Sequence, residues 1–357
     1  MSAAAGPGDV DAWSRESAEF QRRLATATAN LARLGRVELG GCERVAVHRE
    51  DKLVLWRYRS IARPAPLPPV LIVYALVNRP DVLDLDRERS LIRGLLEAGL
   101  DVWLVDWGYP DAADRWLTLA DYVTGYLDRC VARVRPDGGA VNLLGVCQGG
   151  TLALAYAALE PARVANLVTM ITPVDFHTPE NLLAKWARGV DADALVETFG
   201  NVPGEWLNAA FLQLMPFRLT LAKYLALVDS ADDTAALAAF LRMERWIFDS
   251  PDQAGEAFRE FANALYRDNR LVRGTWSIGG RVVDPRRLRM PILNVHATED
   301  HLVPPSASLA LRGIAGTGDY TDLAVPGGHI GIYVGRRART LPGTIAGWLR
   351  ERAAARP

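Results

Sequence analysis

The sequence predicts an α/β fold: a mostly parallel eight-stranded sheet flanked by helices, with a helical cap inserted late in the chain. Three observations carry that expectation. Short unbroken apolar runs recur at 70–75 (VLIVYA), 101–106 (DVWLVD), 141–146 (VNLLGV), 166–171 (NLVTMI) and 292–297 (ILNVHA), with a weaker one at 320–325. Runs of this kind are what strands buried on both faces look like. Segments with helical apolar spacing, at about 87–99, 117–134 and 149–160, separate most of them, and strands alternating with helices imply a parallel sheet covered on both sides. The third observation is a glycine-flanked cysteine, GVCQGG at 145–150, which follows one buried run and opens a helix.

Taken in order, residues 1–40 form an N-terminal segment whose Ala-rich stretch at about 10–35 has an amphipathic helical pattern. Next come two alternating segments, 43–48 (ERVAVH) and 53–58 (LVLWRY), which predict an antiparallel pair. A proline-rich link leads into the buried runs, so the sheet domain is expected to span 41–173 and 286–357. Between 174 and 285 no comparable strand run is present. The pattern there is helical and rich in large apolar residues, among them Trp186, Phe199, Trp206, Phe217, Trp246 and Phe258. That stretch is the expected cap.

Composition narrows the function by exclusion. The 357 residues carry 41 basic and 42 acidic side chains, interleaved, for a formal net charge of −1. No footprint for nucleic acid or an anionic membrane is visible in that balance. Cys42, Cys130 and Cys147 are the only cysteines; they are too few and too scattered for a disulfide framework, and no Cys/His cluster has zinc spacing. A reducing cytoplasm is the expected compartment, with no metal and no bound cofactor. The start, MSAAAGPGDVDAW, lacks the basic and apolar regions of an export signal, and the longest apolar run, VLIVYALV at 70–77, falls well short of the ~20 residues that span a bilayer. No membrane insertion is expected.

The GVCQGG cluster has the context of a nucleophile elbow, a strained strand-to-helix turn that lifts one side chain above the sheet. Gly145, Gly149 and Gly150 flank the turn because side chains there would meet the neighbouring strand and helix. The helix start behind Cys147 favours a thiolate. In the α/β-hydrolase fold, nucleophile, acid and histidine follow in that order, the last two on loops after late strands. Asp300 lies just beyond the run at 292–297 and His329 just beyond the one at 320–325, so both match in type, order and place. His301 adjoins Asp300 and is a rival histidine. Cys130 and Cys42 read as buried packing residues. The oxyanion hole needs two backbone N–H groups: that of Gln148, after the nucleophile, and one from the YALVNRP loop, either Leu76 or Val77. Asn78 and Arg79, in the same loop, either shape the turn or touch substrate.

A thiol in the serine's usual place points to acyl transfer. Its thioester intermediate is nearly isoenergetic with a thioester substrate such as an acyl-coenzyme A and stays activated toward a second nucleophile, provided water is kept away. The motifs GVCQGG, DWGYP at 106–110, VYALVNRPDVLDLD at 73–86, EDHLVPP at 299–305 and PGGHIGIYV at 326–334 together resemble the poly(3-hydroxyalkanoate) synthases, above all the short catalytic subunit of the two-component class III enzymes. The resemblance spans about 40–350. It implies polymerisation of (R)-3-hydroxyacyl-coenzyme A into a polyester with release of coenzyme A, Cys147 as the acylated nucleophile, Asp300 as the acid and His329 as the general base. It further implies a homodimer at the surface of a cytoplasmic polymer granule, and a second, non-catalytic synthase subunit, since only about 40 residues precede the first strand where single-component synthases carry a long N-terminal domain. Two other readings are a thiol-nucleophile hydrolase (thioesterase or esterase) on the same fold and a non-catalytic granule scaffold; the intact Cys147, Asp300 and His329 speak against the scaffold.

Overall fold

Ten strands form in a computed structural model that describes residues 10–63, 65–335 and 339–354. They are β1 (Arg44–Glu50), β2 (Leu53–Tyr58), β3 (Val70–Val73), β4 (Val102–Asp106), β5 (Val141–Val146), β6 (Val164–Met170), β7 (Ser277–Ile278), β8 (Arg281–Val282), β9 (Ile292–Ala297) and β10 (Tyr320–Val325). Eight of them make one sheet in the order β1-β2-β4-β3-β5-β6-β9-β10, and β7 and β8 make a separate two-stranded ribbon. In the large sheet β2 runs antiparallel to β1 and β4, while every other neighbouring pair is parallel. The chain steps outward from β3 to β4 and then back to β5 on the other side of β3. That reversal opens a crevice at the carboxyl ends of β3 and β5, the place where open α/β sheets bind ligands.

The two-residue period of the strands sorts their side chains onto two faces. Leu71 and Val73 join one core cluster with Leu143, Leu152 and Tyr156, whereas Val70 and Ile72 join the other with Leu144, Val146 and Val168. Both faces are covered by helices, so β3, β4, β5, β6 and β9 are buried along their whole length. The helix Gln148–Leu159 is buried from Gly149 to its end, which accounts for its run of alanines and leucines.

The inserted stretch divides by packing. Its first part carries the helices Leu182–Ala187, Ala192–Phe199, Gly204–Gln213, Lys223–Asp229 and Thr234–Ile247. Three of these start on side chains that cap their first amides: Asn181 accepts from Ala184, Asp191 from Ala194, and Asp233 from Ala235 and Ala236. The second part behaves as sheet domain: Ala254, Ala257, Phe261, Leu265, Leu271 and Trp276 all belong to the core cluster of β3 and β5. Where the chain leaves and re-enters, Val202 and Gln253 exchange two backbone hydrogen bonds of 2.9 Å. The crossing is tight enough that a Cβ on Gly204 would come 2.2 Å from the Ser250 carbonyl oxygen, and one on Gly255 2.2 Å from that of Gly200.

The N-terminal segment is helical from Val10 to Leu34, and the first nine residues of the expected segment lie outside the described ones. This helix lies on the cap: Arg23 donates to the Asp229 carbonyl at 2.6 Å and Asn30 to that of Ala231 at 2.9 Å. Among the described residues no single helix is long and apolar enough to cross a membrane.

Candidate active site

The elbow at Cys147 is built by backbone strain and by the absence of side chains around it. Cys147 has φ 52° and ψ −127°, a conformation that costs a non-glycine residue about 1–3 kcal/mol. Its N–H donates to the Met170 carbonyl at 2.9 Å, anchoring the turn to the end of β6. A Cβ on Gly145 would sit 2.5 Å from the Gly150 Cα, one on Gly149 2.3 Å from the Tyr74 carbonyl, and one on Gly150 1.8 Å from the Thr172 hydroxyl. All three glycines expected around the turn therefore allow backbone or side chain to close against it. The Gly149 approach also seats the helix start directly on the loop that leaves β3.

The other two residues arrive from the ends of β9 and β10. Asp300 folds back on its own loop, one carboxylate oxygen accepting the Leu302 and Val303 amides at 2.9 Å each. Its other oxygen faces His329 Nδ1 at 2.7 Å. The two loops are tied together by the Glu299 amide donating to the Gly327 carbonyl at 2.9 Å. Asp300 and His329 are 6% and 5% exposed. Burial opposes a charge on His329, but Asp300 and the neighbouring Cys147 sulfur outweigh it and hold the imidazole above its ordinary value. The Asp300 carboxylate thus favours the protonated imidazole, the form His329 has after it receives a proton. With Nδ1 engaged by Asp300, Nε2 is the nitrogen left for the sulfur and its substrate.

The rival groups have different surroundings. Burial pushes His301 below its ordinary value, and its Nε2 is buried without a hydrogen-bond partner. Cys130 lies in the core with its thiol pushed up to about 12 by burial. Cys42 is likewise raised to about 12, by burial and by Asp84, whose carboxylate accepts from its thiol at 3.4 Å. Both thiols are held in their neutral, unreactive form.

The two candidate loop amides differ in what they touch. The Leu76 amide donates to the side-chain Oε1 of Gln148 at 2.9 Å, so it is already committed. In this arrangement the Leu76 N–H serves the glutamine. The Val77 amide has no acceptor among the described residues, and the Gln148 amide, first in its helix, has no partner within it. Asn78 and Arg79 both make contacts that shape the turn. Asn78 sits at φ 60° and donates to the Ser250 hydroxyl at 3.1 Å. Arg79 pairs with Asp106 at 2.7 Å, donates to the Gly108 carbonyl at 3.1 Å and stacks on Tyr109. The Gln148 side-chain bond has no local sequence signature, since it depends on how closely Gly149 lets the helix approach the loop. Among the described residues no group of three or more His, Cys, Asp or Glu side chains is placed to hold a metal ion.

A strand order of this kind, with a strained elbow after β5 and paired loops after the last two strands, is that of the alpha/beta hydrolase fold, and the sequence model of that fold matches residues 68–335. Among solved structures, a thermophilic esterase from Thermogutta terrifontis superposes with a TM-score of 0.51 at 17% identity, covering 87% of this chain and 99% of that one. Two relatives are far closer in sequence. The poly(3-hydroxyalkanoate) polymerase subunit PhaC of Allochromatium vinosum is 52% identical over 96% of this chain and 98% of its own. The subunit of the same name from Synechocystis is 49% identical over 94% and 92%. The chain belongs to the family of poly(3-hydroxyalkanoate) polymerase subunits PhaC.

Proposed function

We propose that this polyester synthase polymerises (R)-3-hydroxyacyl-coenzyme A through an acyl-enzyme on Cys147. The observation that carries the reading is the buried His329–Asp300 pair at 2.7 Å beside a cysteine on a strained elbow. His329 takes the thiol proton, and the Cys147 thiolate attacks the thioester carbonyl. The resulting oxyanion is held by the Gln148 and Val77 amides. Collapse breaks the bond to the coenzyme A sulfur, which leaves with the proton from His329 and puts the acyl group on Cys147. The 3-hydroxyl of a second monomer or of the growing chain then gives its proton to His329 and attacks the Cys147 thioester. The new ester bond forms and the thiolate is regenerated. Asp300 orients the imidazole and stabilises its charged form through both proton transfers. Burial of the pair supports exclusion of water, which would otherwise divert the acyl-enzyme to hydrolysis.

Association follows from the cap and the N-terminal helix, whose exposed Trp13, Phe20, Phe217, Leu221 and Leu225 supply apolar surface for a homodimer, a second synthase subunit or the polymer at a cytoplasmic granule. The deciding assay supplies 3-hydroxybutyryl-coenzyme A and follows free coenzyme A and turbidity together. Coenzyme A release with insoluble product is expected. Release with only free 3-hydroxybutyrate would make the chain a thioesterase instead.

A further inference from the structure

One short segment of the cap grips the whole of the loop that carries the candidate oxyanion amide. Trp246 Nε1 donates to the Arg79 carbonyl at 2.6 Å, the Ser250 hydroxyl accepts from Asn78 at 3.1 Å, and Gln253 Nε2 donates to the Leu76 carbonyl at 2.7 Å. Leu76 is therefore clamped by two glutamines, its N–H by Gln148 and its carbonyl by Gln253. Gln253 is 3% exposed and has its own backbone locked to Val202, so its side chain has little freedom to follow the loop if the loop moves. With both polar groups of Leu76 occupied and Asn78 held at φ 60°, the peptide between them is fixed. That peptide carries the Val77 N–H.

We infer that Gln253 is a positioning residue for the reaction: through the Leu76 carbonyl it orients the Val77 amide toward the acyl oxyanion and couples that orientation to the seating of the cap. The inference rests on the assignment of Val77 as an oxyanion donor. Loss of one such donor costs about 10²–10³ in rate, and a donor kept but misaimed loses part of that, so a drop on the order of 10–100-fold in acylation is expected when the clamp is removed.

The test compares two reactions of the same thiol. Acylation, read as the single-turnover burst of coenzyme A from 3-hydroxybutyryl-coenzyme A, builds an oxyanion. Alkylation of Cys147 by iodoacetamide does not, yet it depends equally on the thiol, His329 and the fold. Gln253→Met deletes the donor at similar size and is expected to slow acylation on the order of 10–100-fold while leaving alkylation within about twofold. Equal loss in both reactions, or loss in neither, overturns the inference. Gln253→Glu keeps the shape and donates only when protonated, so its acylation rate relative to the parent enzyme should recover as pH falls, whereas a purely structural role gives a flat ratio. Ser250→Ala, at a half-buried position less exposed to misfolding, should lower acylation several-fold by the same selective pattern. A third arm replaces Val77 with its α-hydroxy analogue, which deletes that N–H and, through the ester it forms, also weakens the Leu76 carbonyl as an acceptor. Slow acylation there but not in Gln253→Met removes the role of Gln253 and leaves the oxyanion assignment standing. The reverse result removes Val77 as the donor, and with it the inference.

Discussion

Every residue of β3, β4, β5, β6 and β9 is buried, whereas the cap helices between Leu182 and Ile247 leave Trp186, Phe199, Trp206, Leu221 and Leu225 exposed and Phe217 79% exposed. The two regions contain the same kinds of side chain and use them differently. In the sheet domain large residues fill space between layers, and the strand ends become fixed points from which Cys147, Asp300 and His329 project. The first part of the cap adds only scattered buried positions, such as Val196, Leu237 and Trp246, and holds to the sheet domain partly through polar contacts. The difference separates two tasks. Atoms that must meet within hydrogen-bond distance are carried by the densely packed region, and the large apolar side chains left exposed are carried by the loosely packed one.

The sharpest way to break this division is at the thiol itself. Cys147→Ala is expected to abolish coenzyme A release and polymer formation while leaving the melting transition nearly unchanged, because the side chain is only partly buried and contributes little packing. Mass spectrometry after a single turnover should find the acyl group on Cys147. An adduct on Cys130, deep in the core, would mean that the packed region does not merely present the chemistry but hides it.

The histidines sharpen the comparison further. His329→Gln removes the base and should lower turnover by about 10²–10⁴-fold and slow alkylation of Cys147, while His301→Gln should do much less. Reversed effects would move the base to His301. Charge on His329 also has a signature in stability. Its folded value is raised by Asp300 and Cys147 against the cost of burial, so its stabilising contribution is fully present below the ordinary imidazole value of ~6.5 and fades as pH rises through the folded value. Asp300→Asn removes the carboxylate that favours the charge. The melting temperatures of parent and variant should differ most near about pH 6 and converge as the solution becomes alkaline; a gap that widened with pH would contradict the imidazolium.

What was legible in the sequence follows the same line between the regions. The runs at 141–146 and 292–297 match β5 and β9 residue for residue, because strands buried on both faces stay mostly apolar to their ends; the weaker run at 320–325 matches β10, of which only Val325 is buried. The triad candidates were readable because their places are set by strand ends. The ribbon β7–β8 was missed: two residues a side are too short for alternation to register, although Gly279 and Gly280, both at positive φ, are a hairpin signal. The insertion read as one cap, yet Phe261 and Trp276 pack in the sheet core, since helical spacing says which face is apolar and not what covers it. The clamps on Leu76 had no signature at all. Gln148 and Gln253 are 105 positions apart (253 − 148), and neither glutamine carries a local pattern that points to a backbone carbonyl or amide elsewhere.

The smallest expected effect tests the loosely packed region directly. Phe217, Leu221 and Leu225 recur every four residues through the π-helical segment Phe217–Ala222 and the helix Lys223–Asp229, and all three are exposed. On the N-terminal helix Trp13, Phe20 and Leu24 follow one another at seven and four positions and are exposed as well. Residues at such spacings share one face of a helix, so each element offers an apolar stripe to something outside the chain. Because the N-terminal helix rests on the cap through Arg23 and Asn30, the stripes belong to one body. The double substitution Phe217→Ser with Leu221→Ser should leave the melting temperature almost unchanged, as exposed positions usually alter stability by no more than about 0.5 kcal/mol. It should also spare alkylation of Cys147, which depends on the sheet domain. Association is where it should act: light scattering at matched concentrations is expected to show the parent as a dimer and the variant shifted toward monomer, with a modest loss of polymerisation rate. A parent that scatters as a monomer with a substrate analogue bound, or a variant that dimerises as the parent does, would place the association surface elsewhere on the molecule.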